Sequence, residues 1–197
     1  NLSINKEREH IDNFTSCDGL KDYAIKVNSV ENILPKLKEV GLSYSQISET
    51  GYKSNGKSVV MHVTTPSKKS MPQILSDHTP VSYRRGVLSQ HDNGVEGIKR
   101  IVIAVKNLND TVERYQRLVG IRCIKPANYY VEGALTTDII FKNTIITLAQ
   151  PMLGGSEIDN YVKQYTEGPY MLELKTNNKK FRKIMLVGSG TKISLIN

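Results

Sequence analysis

Three segments of the chain repeat the same order of local patterns: a glycine, a strand-like run, a turn containing asparagine, an amphipathic stretch and a closing glycine. The segments are residues 19–41, 97–120 and 168–188. Their opening and closing glycines are separated by 22, 23 and 20 positions, so the patterns are almost in register. Self-similarity at this scale predicts repeated βα units.

The middle of each repeat predicts a helix, because apolar side chains recur there at helical spacing. Ser29 and Asn109 are the predicted N-caps of the first two helices, and the third is expected within residues 178–188. Pro35 does not suit a helix interior, so we expect it to kink the first helix or to delay its start.

Short strands are predicted after each helix, which makes the repeating unit βαβββ. We expect these strands at residues 43–48, 58–64, 80–84, 121–125, 129–131, 136–141 and 144–149. The resulting units are 19–90 and 91–150, followed at 151–197 by a linker helix and a partial βαβ unit that pairs with the preceding unit. Residues 1–18 form a leading segment that we expect to link from a unit preceding residue 1.

Composition narrows the classes of function. The chain has 197 residues, with 27 Lys and Arg against 19 Asp and Glu, but these basic residues are scattered and there is no Trp. Nucleic-acid binding is therefore not predicted, since it needs concentrated basic surface. Apolar runs are too short to span a membrane. Cys17 and Cys123 have no metal-binding or disulfide spacing, which favours free thiols in the cytoplasm.

The repeat resembles the vicinal oxygen chelate superfamily of glyoxalases, bleomycin-resistance proteins and extradiol dioxygenases. The resemblance rests on the βαβββ unit, on Gly-Ile-Lys-Arg-Ile-Val-Ile-Ala-Val-Lys-Asn-Leu at 97–108, and on Tyr115-x-x-Leu118-x-Gly120. His78-Thr-Pro80, followed by His-Asp-Asn-Gly at 91–94, is similar to glyoxalase-like proteins of bacteria. The resemblance implies an α+β fold of tandem βαβββ units, with curled mixed sheets forming a cup for a ligand or metal. It also implies a homodimer.

Alternation along the first strand of each repeat selects the side chains expected to enter the cup. Three of these are the cations Lys26, Arg100 and Lys175, which we predict to be counter-charges for a small anionic organic ligand. The same alternation places Glu173 near Arg100 and Lys175. Glu173 is predicted either to form a buried ion pair within the cup or to act as a proton-abstracting carboxylate.

Metal-dependent members of the superfamily carry a ligand at the positions that match Asp22, Arg100 and Met171. A guanidinium cannot ligate, and a thioether is a soft ligand, so the resemblance leaves only Asp22, with His62 on a later strand as a second candidate. No cofactor is therefore predicted. The alternative is a metal-dependent lyase, isomerase or dioxygenase, with His62, Asp22 or Glu173 contributing ligands and others outside this segment. A binding or sequestering module of the resistance-protein kind is a third class.

Overall fold

The computed structural model describes residues 20–54, 57–80, 94–120, 124–125, 127–141, 143–178, 184–187 and 191–196. The first part of the chain forms a four-stranded sheet with one helix. Its elements are β1 (Ala24–Val27), α1 (Val30–Glu39), β2 (Ser48–Ser54), β3 (Lys57–Thr64) and β4 (Gln73–Asp77). The strand order is β1-β4-β3-β2, in which β1 and β4 are parallel and the other pairs are antiparallel.

The second part forms a six-stranded sheet with two helices. Its elements are β5 (Val95–Ala104), α2 (Leu108–Val119), β6 (Ala134–Ile140), β7 (Ile145–Pro151), α3 (Glu157–Tyr165), β8 (Gly168–Thr176), β9 (Ile184–Val187) and β10 (Thr191–Ile196). The strand order is β6-β7-β5-β8-β10-β9. Among the described residues, no helix is long and apolar enough to cross a membrane.

The topology repeats as the sequence does. In each repeat the first strand lies parallel to the last: β1 beside β4, β5 beside β7, and β8 beside β10. The large sheet joins two of these repeats through β5 and β8, which pair antiparallel. The predicted α+β class with mixed sheets is confirmed, and within the described ranges neither sheet closes into a barrel.

One hydrophobic core lies between the two sheets. It unites α1 and α2 with the inner faces of both sheets, through residues such as Leu37, Ile74, Ile103 and Leu148. At its centre the carbonyl oxygen of Ser70 accepts hydrogen bonds from the hydroxyls of Tyr23, at 2.8 Å, and Tyr115, at 3.1 Å. The order of layers is therefore small sheet, α1 and α2, large sheet, and α3 packs on the other face of the large sheet through a second hydrophobic core.

The predicted helix within 178–188 is wrong for the part of it that the structure describes. Residues Ile184–Val187 form β9, which pairs antiparallel with β10 so that Met185 lies opposite Ile193. Apolar runs of this length carry too little periodicity to separate helix from strand, and pairing with a neighbouring strand decides the outcome.

Several local predictions are also corrected. Asn107, and not Asn109, caps α2, since its side chain accepts a hydrogen bond from the backbone nitrogen of Asp110 at 3.1 Å. Pro35 does not delay α1, which begins at Val30 directly after the predicted cap Ser29. Residues 43–47 and 129–131 are not strands, whereas residues 73–77 form β4, which was not predicted. The predictions at 1–18, 81–93 and 121–123 lie outside the described residues.

Candidate functional site

The candidate site lies on the face of the large sheet that is turned away from α2. Four neighbouring strands each place one polar side chain there: Arg100 on β5, Thr147 on β7, Asp138 on β6 and Glu173 on β8. Because strand residues alternate between faces, the residues two positions along are on the same face. On β7, β6 and β8 these are Ile145, Ile140 and Lys175, which line an adjacent groove. Ile98 of β5 also lines this groove, although a register shift between Ile98 and Arg100 interrupts the alternation there.

The polar cluster is organised around one guanidinium. Nε of Arg100 donates to Oε2 of Glu173 at 3.2 Å, and its Nη1 donates to Oδ1 of Asp138 at 2.6 Å and also contacts the Thr147 hydroxyl. The Thr147 hydroxyl donates to the same Asp138 oxygen at 2.6 Å. Arg100 is only 8% exposed, so these partners replace the water that a buried cation would lose.

Tyr130 covers this cluster from a loop. The Cζ atom of Arg100 lies 3.9 Å from the centre of the Tyr130 ring, and the Tyr130 hydroxyl donates to Oε1 of Glu173 at 2.6 Å. Burial, together with the hydrogen bond to Glu173, raises the pKa of Tyr130 to about 12. Tyr130 is therefore a proton donor at neutral pH, and both oxygens of Glu173 accept hydrogen bonds from protein groups.

The adjacent groove has a volume of about 970 Å³, at the upper end of the range found for small-molecule sites. Its apolar part includes Ile98, Ile140, Phe141 and Ile145. Its charged part includes Lys175, whose Nζ lies 2.7 Å from Oε2 of Glu96. This ion pair is largely exposed, and such pairs contribute roughly 0–1 kcal/mol, so a ligand can displace Glu96 at little cost.

The two predicted cations of the large sheet, Arg100 and Lys175, thus differ in how free each is to bind an anionic ligand. Arg100 is paired with the buried Glu173 and the half-buried Asp138, and the three side chains together carry a formal charge of −1. Lys175 belongs to the open groove. The ion pair predicted for Glu173 is present, with Arg100 as its partner, whereas Lys175 pairs with Glu96 instead. Acting as a base would require Glu173 to release the Tyr130 hydroxyl.

The structure does not bring Lys26 to the other two predicted cations. Lys26 lies on the face of the small sheet turned away from α1, where its Nζ is 3.2 Å from Oδ2 of Asp77. Since the helices separate the two sheets, Lys26 and Arg100 are on opposite outer faces of the layered core.

The three predicted metal candidates also lie apart. Asp22 accepts a hydrogen bond from Nε2 of Gln73, at 3.4 Å, on the face of the small sheet away from α1. His62 is on the opposite face, beside Glu31 in the first turn of α1. Glu173 belongs to the large sheet, so the described residues do not form the metal centre of the alternative function from these three side chains.

The surroundings of His62 are charged. Hydrogen bonds from the Ser29 hydroxyl and from His62 lower the pKa of Glu31 to about 2. In return, the hydrogen bond to Glu31 raises the pKa of His62 above its ordinary value. The ring of His78 lies against that of His62, with 4.1 Å between the ring centres.

Sequence reasoning missed Asp138, Thr147 and Tyr130 in the polar cluster, and Glu31 and His78 beside His62. For Asp138 a signal was available, because it is a charged residue at a central position of a correctly predicted strand. Tyr130 reaches the cluster from a loop, for which alternation makes no prediction.

The fold and its repeated topology agree with the resemblance to the vicinal oxygen chelate superfamily. No family model matches the sequence. The chain is 28% identical over 75 residues to the mitochondrial methylmalonyl-CoA epimerase of Dictyostelium discoideum, a member of this superfamily. That match spans 38% of this chain and 45% of the epimerase, so the relationship is distant and partial.

One solved structure shares the fold over most of this chain. The crystal structure of a hypothetical protein from Staphylococcus aureus aligns with a TM-score of 0.66 over 94% of this chain and 68% of its own, at 13% identity. The methylmalonyl-CoA epimerase of Mycobacterium tuberculosis aligns over 57% of this chain and 92% of its own, with a TM-score of 0.45 and 15% identity.

Proposed function

We propose that the protein binds a small organic ligand with an anionic group in the groove on the outer face of the large sheet. One observation carries the proposal: four adjacent strands place a hydrogen-bonded polar cluster and an open, partly apolar groove side by side on one face. An apolar floor with a few convergent polar groups is the usual composition of a small-molecule site.

The groove defines the features of this ligand. Its apolar body would pack on Ile98, Ile140 and Ile145, and its anionic group would replace Glu96 beside Lys175. The end of the ligand that approaches the polar cluster would meet Arg100 and its carboxylates. The distant epimerase relative is named for a substrate that combines an acyl chain with negative charge, which supports an organic acid or its thioester as the ligand class.

The proposal covers binding and includes no metal or cofactor in the groove.

We further propose a cytoplasmic location, because the spacing of the two cysteines favours free thiols. We also propose a homodimer, because the chain resembles a superfamily whose units pair between chains. Sedimentation equilibrium of the purified chain tests the dimer: a mass twice that of 22.1 kDa is expected, and a strictly monomeric species would contradict it.

The binding experiment uses the anionic apolar dye anilinonaphthalene sulfonate, followed by its displacement with short-chain carboxylates and methylmalonyl-CoA. Lys175→Gln should weaken dye binding about three- to tenfold, because it removes the cation and leaves Glu96 to repel the dye. Ile140→Ser should weaken binding through lost apolar contact. Lys163→Gln, on α3, is the control for charge removal and should change binding less than about twofold. Equal affinities in all variants would show that the dye does not use this groove.

A further inference from the structure

A second cluster of potential ligand atoms lies on the other side of the molecule. It consists of Glu31 in the first turn of α1, His62 on β3 and His78, which follows the end of β4. His62 lies opposite Ser76 in the sheet, and the Ser76 hydroxyl accepts a hydrogen bond from the backbone nitrogen of Val30 at 3.3 Å. The cluster therefore lies on the helix side of the small sheet, away from the proposed ligand groove.

The three side chains converge. One nitrogen of each imidazole and one carboxylate oxygen of Glu31 all lie within 4.8 Å of one another. Nδ1 of His62 is hydrogen-bonded to Oε1 of Glu31, and the His62 and His78 rings are tilted by 44° at a centre-to-centre distance of 4.1 Å. This arrangement comes from three separate elements, so local sequence alone does not produce it.

The donor set is chemically specific. Two imidazoles and one carboxylate are the ligands of zinc sites that keep a fourth position open, and imidazole favours Zn²⁺, Co²⁺ or Ni²⁺ over Mg²⁺ or Ca²⁺. Zinc bonds of about 2.0–2.1 Å to nitrogen require ligand atoms roughly 3.3 Å apart in a tetrahedron. Because Glu31 and His78 are exposed and His62 is half-buried, small side-chain rotations suffice to close the cluster to that size.

Neighbouring groups suit the outer shell of such a site. Oε2 of Glu49 lies 3.7 Å from Nε2 of His62, and the Ser76 hydroxyl lies 3.3 Å from Nε2 of His78. Groups that hydrogen-bond the second nitrogen of a ligating histidine fix the orientation of its ring. The open side of the cluster faces solvent, which gives an ion a path of entry.

We propose that Glu31, His62 and His78 bind one divalent transition-metal ion, with Zn²⁺ the best match to the ligand set. The ion joins the start of α1 to β3 and to the segment after β4. Its role is to hold these three elements together, since the site is separated from the groove by the helix layer. The site shares His62 with the metal candidates named from the resemblance, but Asp22 and Glu173 take no part in it and Glu31 and His78 replace them.

The first test uses the whole chain after removal of bound metal with a chelator. Titration with Co²⁺ should give about one equivalent bound, with the intense visible absorption of tetrahedral nitrogen and oxygen coordination. Zn²⁺ should displace the Co²⁺ and raise the melting temperature, because an ion that binds only the folded state stabilises it. No visible band and no shift in melting temperature would overturn the proposal and leave only a histidine–glutamate ion pair.

Variants identify the ligands. Glu31→Gln and His78→Gln should each weaken Co²⁺ binding at least about tenfold and reduce the melting-temperature shift. Glu39→Gln is the matched control, since it removes the same charge from an exposed position in the same helix. The affinity of the Glu39→Gln variant for Co²⁺ should stay within about twofold of that of the unmodified chain. Equal weakening by Glu39→Gln would show that the metal binds the surface through charge alone, and unchanged binding in His78→Gln would also refute the site.

Discussion

The hydroxyl of Tyr161, on α3, donates a hydrogen bond to the carbonyl oxygen of Pro169, at the start of β8, across 2.9 Å. The Tyr161 ring also lies edge-on to that of Tyr170, with 5.3 Å between ring centres. Tyr161 is 8% exposed, and burial raises its pKa to about 12. One side chain therefore ties α3 to the strand that carries Glu173.

Tyr161→Phe should lower the free energy of unfolding by about 1 kcal/mol at pH 8, because the Pro169 carbonyl loses its partner. A tyrosine in the unfolded chain ionises near pH 10, so the native protein loses stability as the pH rises from about 10 to about 12. This rise in the pKa of Tyr161 corresponds to a loss of at most about 2.7 kcal/mol of stability at alkaline pH, and that contribution should be absent from the variant. Urea unfolding at a series of pH values measures both effects.

Tyr129→Phe is the control for this experiment, since it removes the hydroxyl of a side chain that is 78% exposed. It should leave both the stability at pH 8 and its alkaline decline unchanged. An alkaline decline of equal size in Tyr161→Phe would contradict the assignment to Tyr161.

Thr166→Gly should stabilise the protein. Thr166 ends α3 with φ of 70° and ψ of −138°, and it is the non-glycine residue with positive φ among those described. A β-branched residue in this region costs about 1–3 kcal/mol, whereas glycine adopts it freely. Since Thr166 is exposed, no side-chain packing is lost. In thermal unfolding, Thr166→Gly should raise the free energy of unfolding by about 1 kcal/mol. The control Thr50→Gly, at an exposed position of β2, should lower it.

Pro35→Ala should also stabilise the protein. Pro35 lies inside α1, where it lacks the backbone proton that would bond to the carbonyl of Glu31. Proline in a helix interior costs about 3 kcal/mol relative to alanine, and the greater freedom of the unfolded alanine chain returns about 1 kcal/mol of that. We expect a net gain of about 2 kcal/mol in chemical unfolding. The control Pro66→Ala, outside the helices, should instead lower the free energy of unfolding by a fraction of 1 kcal/mol. A gain in Pro66→Ala equal to that in Pro35→Ala would show that the helix position of Pro35 is not the cause.

Arg100→Met should be the most destabilising of these changes, by about 3–5 kcal/mol, because it leaves Asp138 and Glu173 without their shared cation. Adding Asp138→Asn and Glu173→Gln to this variant should restore part of the loss. Arg117→Met, which removes an exposed partner of Glu113, should cost less than about 0.5 kcal/mol. A small loss in Arg100→Met would show that water reaches the cluster and replaces the guanidinium.

The repeat in the sequence predicted the fold class because it encodes local structure: a strand, a capped helix and a closing glycine. The first two helices and the hairpin of β6 and β7 followed from this pattern. The strand β9 did not, because four apolar residues carry no periodicity of their own and its structure depends on pairing with β10. β4 was missed at residues 73–77 for a related reason, since its parallel pairing with β1 is a long-range contact.

The parts of the candidate site that depend only on the alternation of side chains along one strand could be predicted from the sequence. Arg100 and Glu173 share a face on the first strands of two repeats, and the structure pairs them. Their relation to Asp138 and Thr147 depends on the register of β6, β7 and β5, which sequence periodicity does not determine. Lys26 has the same alternation as Arg100, but it lies on a different sheet, and only the packing of the helices between the sheets separates them.

The carbonyl of Ser70 takes hydrogen bonds from Tyr23, of the small sheet, and from Tyr115, of the helix that covers the large sheet. Covalent continuity between β4 and β5 is therefore not what holds the two sheets together. A single peptide-bond cleavage between them should leave two fragments that migrate as one particle in native gels and part only when the shared core is denatured. The protein would then behave as a two-piece complex whose halves recognise each other through a buried tyrosine pair.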